Sequence, residues 1–345
     1  MLFSYILLLN LPANVQKMNY SSIEEVLLQL LNDINDKNNV SSTVGKLLLC
    51  KSHESFWDLN NISKAVELLL NLFSCEQASI LANTIDSIDK SDYSVGVIIN
   101  ENAPFEHFPI IYLASILNKK VIIKFTSKSD HLYNPLIQFF KEHNLGLFEN
   151  VNFNGEGFKE CDKYFYLPSN RDNSALIDYL NNRDSVIQKY MTSALVIKGD
   201  ESIETLRQIA PFVFNWFGRS QLSVHHIFVP NGYRVENILD AFSDYYSVMD
   251  NNKYANNYEY HRSVFLVNSI HHLDNGFILL KNDDDCYAPT GVIYFSEYNN
   301  IDNIDSDKYY NIYHLKNNET FRFIDVYTWS DIWNRSVFFN KLQNK

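Results

Sequence analysis

Glycine is scarce in this chain, with 10 residues in 345, less than half the usual share of about 7%. Phosphate cradles and tight catalytic turns use glycine for close backbone approach, so there is little material here for a glycine-rich nucleotide loop. Cysteine is equally sparse. Cys50, Cys75, Cys161 and Cys286 include no Cys-x-x-Cys pair, which argues against a zinc site or a redox motif. Thiols so spaced fit buried side chains in the reduced cytosol. Positive charge is short as well: 29 Lys and Arg stand against 41 Asp and Glu, a net charge of −12 with a pI near 5.3. Phosphates would add to that self-repulsion, so nucleic acid and anionic membrane surfaces are poor partners. The apolar run Leu2–Leu11 is too short to cross a bilayer, and no Lys or Arg precedes it, so it makes a poor signal peptide. Met18, followed by Asn19-Tyr20-Ser21-Ser22-Ile23-Glu24-Glu25, makes a better start, with Ser21 or Ser22 placed to cap a helix. Residues 1–17 are expected to be a tail or a mis-assigned start.

What is present is a large apolar complement. At 46% hydrophobic content the chain has enough for a sizeable core, and its length suggests two domains or one large α/β unit. From Ile23 to about Ile85 the spacing is helical, with Val26, Leu27, Leu30 and Leu31 and then Val66, Leu69, Leu70 and Leu72 on shared faces. Beyond that, strands alternate with helices. Strands are expected at Val95–Ile99, Val121–Phe125, near Leu147, at Lys163–Leu167 and at Ala194–Ile197. Helices are expected at Phe108–Leu117, Leu132–Glu142, Asn173–Leu180 and Ile203–Phe217. Such alternation means parallel sheets covered on both faces. The expected division is a cofactor-type α/β domain at 18–190 and a second α/β domain at 191–320, with 321–345 returning to the first domain or to a partner.

Histidines fall in two adjacent pairs, His225-His226 and His271-His272. Neighbours along a strand point to opposite faces, so neither pair chelates one metal as written. A packed or surface histidine is the plainer reading, and no metal is expected.

The segment Asn215-Trp216-Phe217-Gly218-Arg219-Ser220-Gln221-Leu222-Ser223-Val224 closes a helical pattern and runs into a strand ending at Val229-Pro230. It resembles the nucleophile segment of the aldehyde dehydrogenase superfamily, and in particular of the bacterial acyl-CoA reductases that make fatty aldehydes, the luminescence-type reductase family. That family's segment reads roughly Phe-Gly-x-x-Cys-x-x-Val, and its cysteine attacks the acyl thioester. The aligned position here is Gln221. Val95–Pro104 resembles the family's strand and Asn-x-Pro loop, and Lys119–Lys128 the next strand with its cofactor lysine. Ser263–Leu266, His272–Lys281 and Ala288–Tyr294 resemble stretches of reductases from Bacteroidetes-like bacteria. The order of these blocks, over roughly residues 40–300, carries the resemblance. It implies an aldehyde-dehydrogenase-like fold of two α/β domains, one of them Rossmann-like.

The resemblance also implies roles. Asn102 would donate its side-chain N–H to the thioester oxygen as it becomes an oxyanion; read from the residues alone, it shapes a loop through its own backbone hydrogen bonds. Lys124 would hold the adenosine ribose of NADH or NADPH, or else be a solvated lysine at a strand end. Ser169 occupies a turn whose helix amides approach cofactor phosphates in the family, but Pro168 stands where glycine is usual. Proline removes an N–H, so the cofactor would be held weakly, and Ser169 is left with a helix-capping role. The resemblance would have Asp285, four residues before Pro289, bind the nicotinamide-side ribose; the plainer reading of Asp283-Asp284-Asp285 is a solvated acidic run. The family's general-base position falls near Ile187-Gln188, where no carboxylate stands.

An amide yields no nucleophile, so Gln221 forms no thioester. Ser220, with His225 or His226 as base, and Cys286 are the residues that would have to replace the missing thiol. Three functions are therefore in view. One is a cytoplasmic, oligomeric acyl-CoA-reductase-like subunit without thioester chemistry, working beside a paralogous reductase or an acyl ligase. The second is an active acyl-thioester enzyme with altered chemistry. The third is a nucleotide- or CoA-binding regulator.

Overall fold

The computed structural model describes residues 20–36, 57–74, 93–99, 103–116, 120–125, 130–143, 148–167, 174–187 and 189–315. Asn102, Pro168, Ser169, Cys50 and Cys75, the tail at 1–17 and the closing segment at 321–345 lie outside the described residues. The chain is α/β and divides into two compact units between Tyr190 and Met191.

The first unit opens with two helices, α1 (Tyr20–Asn35) and α2 (Leu59–Leu72). Helix α2 begins where Asp58 accepts from the Asn61 amide at 2.9 Å, a cap that contributes about 1 kcal/mol. Its face of Ile62, Ala65, Val66, Leu69 and Leu72 is buried, and Phe73 carries that face onto α3 (Phe108–Ile116) through edge contacts with Phe108 and Tyr112.

The sheet of this unit holds β1 (Ser94–Ile99), β2 (Lys120–Phe125), β3 (Val151–Asn152), β4 (Lys163–Leu167) and β5 (Ser185–Ile187), in the order β3-β2-β1-β4-β5. Every pairing is parallel. This is the doubly wound arrangement, and its switch point lies between β1 and β4, where the strand order reverses. Helices α3 and α4 (Asp130–Glu142) make the crossovers on one side of that point, and α5 (Ser174–Asn181) makes the crossover from β4 to β5.

The link from β3 to β4 carries no α-helix, only a short 3₁₀ turn at Phe158–Glu160. Phe158 does the covering instead. With Ile98, Ile122, Cys161, Tyr164, Tyr166 and Leu180 it forms a buried cluster. Gly96 is required there, since a Cβ would lie 2.9 Å from the Phe158 ring and 3.0 Å from that of Tyr164. The strand expected near Leu147 is found at Val151–Asn152; Leu147 itself lies outside the described residues.

The second unit is built on a sheet ordered β11-β6-β7-β10-β9-β8. Its strands are β6 (Ser193–Val196), β7 (Val224–Pro230), β8 (Leu273–Asp274), β9 (Leu279–Asn282), β10 (Val292–Tyr298) and β11 (Ile312–His314). Short β8 runs antiparallel to β9 and the remaining pairings are parallel, so this sheet is mixed rather than wholly parallel.

The single helix expected at Ile203–Phe217 is broken in three. Helix α6 (Ile203–Arg207) stops, α7 (Ala210–Phe214) restarts with Pro211 in its first turn, and a 3₁₀ turn follows at Asn215–Gly218. Pro211 has no N–H to continue the ladder, but it is well placed to open a new helix. Helices α8 (Glu236–Ala241) and α9 (Asn252–Val267) complete the unit. Phe214 of α7 stacks on Tyr245 and meets Phe242 edge-on, which binds the broken helix to the core.

Candidate active site

The segment that carries the family resemblance is a left-handed turn. Trp216, Phe217 and Gly218 have φ of 50°, 58° and 68° in succession. Such a conformation costs an L-residue with a Cβ roughly 1–2 kcal/mol. Here burial offsets it. Trp216 and Phe217 are 2% and 7% exposed, and each buried ring contributes about 1.5–3 kcal/mol or more. Glycine suits the third place, because a Cβ on Gly218 would sit 3.1 Å from the Val213 carbonyl at a φ that side chains rarely adopt. Strain of this kind collects at functional sites.

The turn delivers Ser220 and Gln221 to a buried position ahead of β7. Ser220 closes it, its Oγ accepting from the Leu222 amide at 3.1 Å and its carbonyl from the Ser223 amide at 2.9 Å. Two neighbouring strands then pin it. Ser193 Oγ of β6 donates to the Gln221 carbonyl at 2.7 Å, and Tyr313 of β11 donates to the Leu222 carbonyl at 3.0 Å. Ser220 and Gln221 are therefore held rigidly, on a base of strands rather than on a free loop.

The adjacent histidines diverge, as period-2 geometry requires, and both are packed rather than exposed. His225 Nδ1 lies 2.7 Å from the Ala288 carbonyl, and its Nε2 is buried with no hydrogen-bond partner. His226 faces the other way, into a chain of hydrogen bonds. Its Nδ1 is 2.9 Å from the Tyr309 hydroxyl and its Nε2 2.9 Å from Ser296 Oγ, which in turn donates to Asp284 at 2.7 Å. With the serine proton on Asp284, Nε2–H donates to Ser296, and Nδ1 accepts from Tyr309. Neither ring bonds Ser220. Burial pushes both imidazoles down to about 4, against the pull of the Ala288 carbonyl on His225 and of Asp284 on His226. Burial likewise pushes the Tyr309 hydroxyl up, so the chain is neutral until it reaches Asp284.

Asp285 stands on the loop between β9 and β10. Its side chain is exposed, with Oδ1 accepting from the Tyr287 amide at 3.1 Å. The loop itself is clamped from four strands: Lys281 of β9 pairs with Asp283, Ser296 of β10 with Asp284, Thr192 at the edge of β6 donates to the Cys286 carbonyl, and His225 of β7 holds Ala288. The Lys281 ammonium, ahead of any other influence, holds the Asp283 carboxyl below the usual range. Cys286 is a free, half-buried thiol on this loop. A metal has no obvious seat: among the described residues no group of three or more His, Cys, Asp and Glu converges.

Lys124 is in the first unit, the second-last residue of β2, with its side chain exposed and its ammonium 5.9 Å from the centre of the Phe158 ring. Parallel register sets Ile99 level with Phe125 and Leu167, so the carboxyl ends of β1, β2 and β4 share one edge. Asn102 and Ser169 follow Ile99 and Leu167 by three and two positions in sequence and lie outside the described residues. The left-handed turn and the Tyr309–His226–Ser296–Asp284 chain were not visible in the sequence. Aromatic residues before a glycine carry no αL signal, and the chain joins side chains 83 and 70 positions apart.

No protein-family model matches this chain, nor does any curated protein sequence. Solved structures do match. An oxidoreductase from Marinobacter aquaeolei aligns over 87% of this chain and 72% of its own, at 13% identity and a TM-score of 0.59. An NAD-dependent aldehyde dehydrogenase from Sinorhizobium meliloti aligns over 94% and 73%, at 11% identity and a TM-score of 0.59. The NAD+ complex of an aldehyde dehydrogenase from Bacillus cereus aligns over 87% and 77%, at 12% identity and a TM-score of 0.53. The chain thus has the aldehyde dehydrogenase fold. No helix among the described residues is long and apolar enough to cross a membrane.

Proposed function

We propose that this chain is an acyl-CoA-reductase-like protein that has kept the fold and lost the thioester-forming step, and that it serves as a binding or partner subunit in fatty-aldehyde-type metabolism. The observation that carries the reading is Gln221, buried at the end of a strained, strand-pinned turn where the resembling family places a cysteine. A carboxamide donates and accepts hydrogen bonds but forms no acyl adduct. Such a site binds a thioester carbonyl and goes no further. The partner it suits is a paralogous reductase or an acyl ligase, with the oligomer assembled in the cytoplasm.

A nicotinamide cofactor, NADH or NADPH, fits the first unit in part. The doubly wound order puts a ligand crevice at the carboxyl ends of β1 and β4, and the Lys124 ammonium stands exposed near that edge for a ribose hydroxyl or a 2′-phosphate. When bound, the cofactor supplies hydride. Pro168, directly after β4, removes a backbone N–H from the phosphates' reach, which supports weak affinity.

The test is mass spectrometry of the purified protein mixed with a long-chain acyl-CoA. The expected outcome is no covalent mass gain on the native chain and an acyl adduct on Gln221→Cys. An adduct on the native chain at Ser220 or Cys286 overturns the proposal.

One observation favours the second reading, an active enzyme with altered chemistry. Cys286 is a free, half-buried thiol on the loop that Thr192 and His225 hold through the Cys286 and Ala288 carbonyls. In the same experiment, an acyl adduct at Cys286 that is lost in Cys286→Ser identifies this reading.

A further inference from the structure

We propose that the outward face of α9 is a contact surface for a second copy of this chain, the two copies meeting through antiparallel α9 helices that cross at Ser263. The inference does not depend on the role given to Gln221.

Helix α9 is apolar on two opposite faces. Tyr254, Tyr258 and Phe265 form its buried face. Half a turn away, Asn256, Tyr260, Val264 and Val267 recur at spacings of four and three residues, with Ser263 among them, and so share the outward face. A solvent-facing helix stripe is normally polar. Here Tyr260 is 63% and Val267 84% exposed, with Leu266 on the flank at 58%. Three of the five exposed large apolar side chains among the described residues thus fall in the last two turns of one helix. Helix formation does not account for them. Valine is β-branched and a weak helix former, so Val264 and Val267 cost the isolated helix stability, which a cover over this face returns.

Charge selects the occupant. The chain carries −12, so two copies repel wherever their charged surfaces meet. The stripe has no charged side chain. On its flank Arg262 is paired with Glu259 at 3.7 Å and with Asp274 at 2.9 Å. A basic or acidic partner finds no unpaired charge there to bind, whereas a second copy meets this face without repulsion. The face is also self-complementary, as a two-fold contact requires. With the helices antiparallel, Tyr260 of one copy lies over Val267 of the other, and the small Ser263 side chains stand at the crossing, where the backbones come closest. The surface is presented rigidly. The Tyr258 hydroxyl and Arg262 both donate to Asp274 of β8, at 2.6 and 2.9 Å, so little freedom is lost on contact. Two turns of one helix bury less than the roughly 800 Å² per partner of a standard interface, so the dimer is weak and concentration-dependent.

Sedimentation of the full chain from micromolar to submillimolar concentration tests this. The expected result is a monomer that passes to a dimer, and no further, as concentration rises. Val267→Glu sets a charge against Tyr260 of the other copy. It is expected to stay monomeric throughout, and at micromolar concentration to unfold at the same midpoint as the native chain. Ser263→Cys is expected to form a disulfide-linked dimer that the native chain does not form. Dissolved oxygen, with copper phenanthroline as catalyst, takes the two electrons and two protons that the pair of thiols gives up. A native chain that stays monomeric, a dimer that survives Val267→Glu, or no bridge in Ser263→Cys each overturns the proposal. A lowered midpoint for Val267→Glu at micromolar concentration overturns it too, because the chain itself then covers the face.

Discussion

Ser193 Oγ donates to the carbonyl of Gln221 at 2.7 Å across 28 positions of sequence, and this bond fixes the turn on which the proposed function rests. Both groups are buried. The carbonyl that receives the bond belongs to the residue standing in the nucleophile's place, so β6 sets the position of the site's central residue directly.

Ser193→Ala should therefore destabilise the protein by about 1–3 kcal/mol, the range for leaving a buried acceptor unsatisfied. Chemical denaturation with an unchanged slope and a lower midpoint is the expected result. A midpoint equal to that of the native chain would show that the carbonyl finds another donor.

Gly218→Ala should be worse tolerated than a typical surface glycine replacement. The position combines a φ of 68° with a Cβ that would stand 3.1 Å from the Val213 carbonyl, so strain adds to crowding. A loss of about 1–3 kcal/mol is expected. The converse change, Phe217→Gly, relieves backbone strain but removes a buried ring, and should lose about 3–5 kcal/mol as large-to-small core changes do. Thermal unfolding of the pair separates the two contributions.

His226 makes stability depend on pH. Its folded pKa is about 4, below the ordinary 6.5, chiefly because it is buried. As pH falls below 6.5 the unfolded chain takes up a proton that the folded chain refuses. Stability is therefore full above about 6.5 and declines until about 4, by up to roughly 3 kcal/mol for this group. His225 acts in the same direction for the same cause. Replacing His226 with Gln should flatten the slope of unfolding free energy between pH 6.5 and 4 by about one proton. An unchanged slope would mean that His226 titrates normally and that the Tyr309–His226–Ser296 chain is not formed in solution.

Dinucleotide binding should be weak, with a dissociation constant well above ~1 μM, which corresponds to about −8 kcal/mol. Isothermal titration with NADH and NADPH checks this, and Lys124→Ala should weaken further whatever binding remains. A sub-micromolar complex would contradict the loss of a backbone amide at Pro168 and the scarcity of glycine.

The alternating pattern of apolar segments was enough to read the α/β class, and most element positions with it. Parallel strands buried on both faces have to be continuous apolar runs, as Val95–Ile99 and Val121–Ile123 are. The replacement of a thiol by an amide at residue 221 is likewise a property of the sequence alone, because nucleophilicity belongs to the side chain's chemistry and not to its placement. Tertiary structure decided the rest. Helical periodicity ran on from Ile203 to Phe217, yet packing of the Trp216 and Phe217 rings drew that segment into left-handed backbone that its own propensities oppose. Nothing local in His225-His226 says which way each ring turns or that both lose their protons to burial. That follows from Ala288, Ser296 and Tyr309, which come from 63 to 83 positions away. Such contacts are made by the sheet's order and register, and these exist only once β6, β7, β10 and β11 lie side by side.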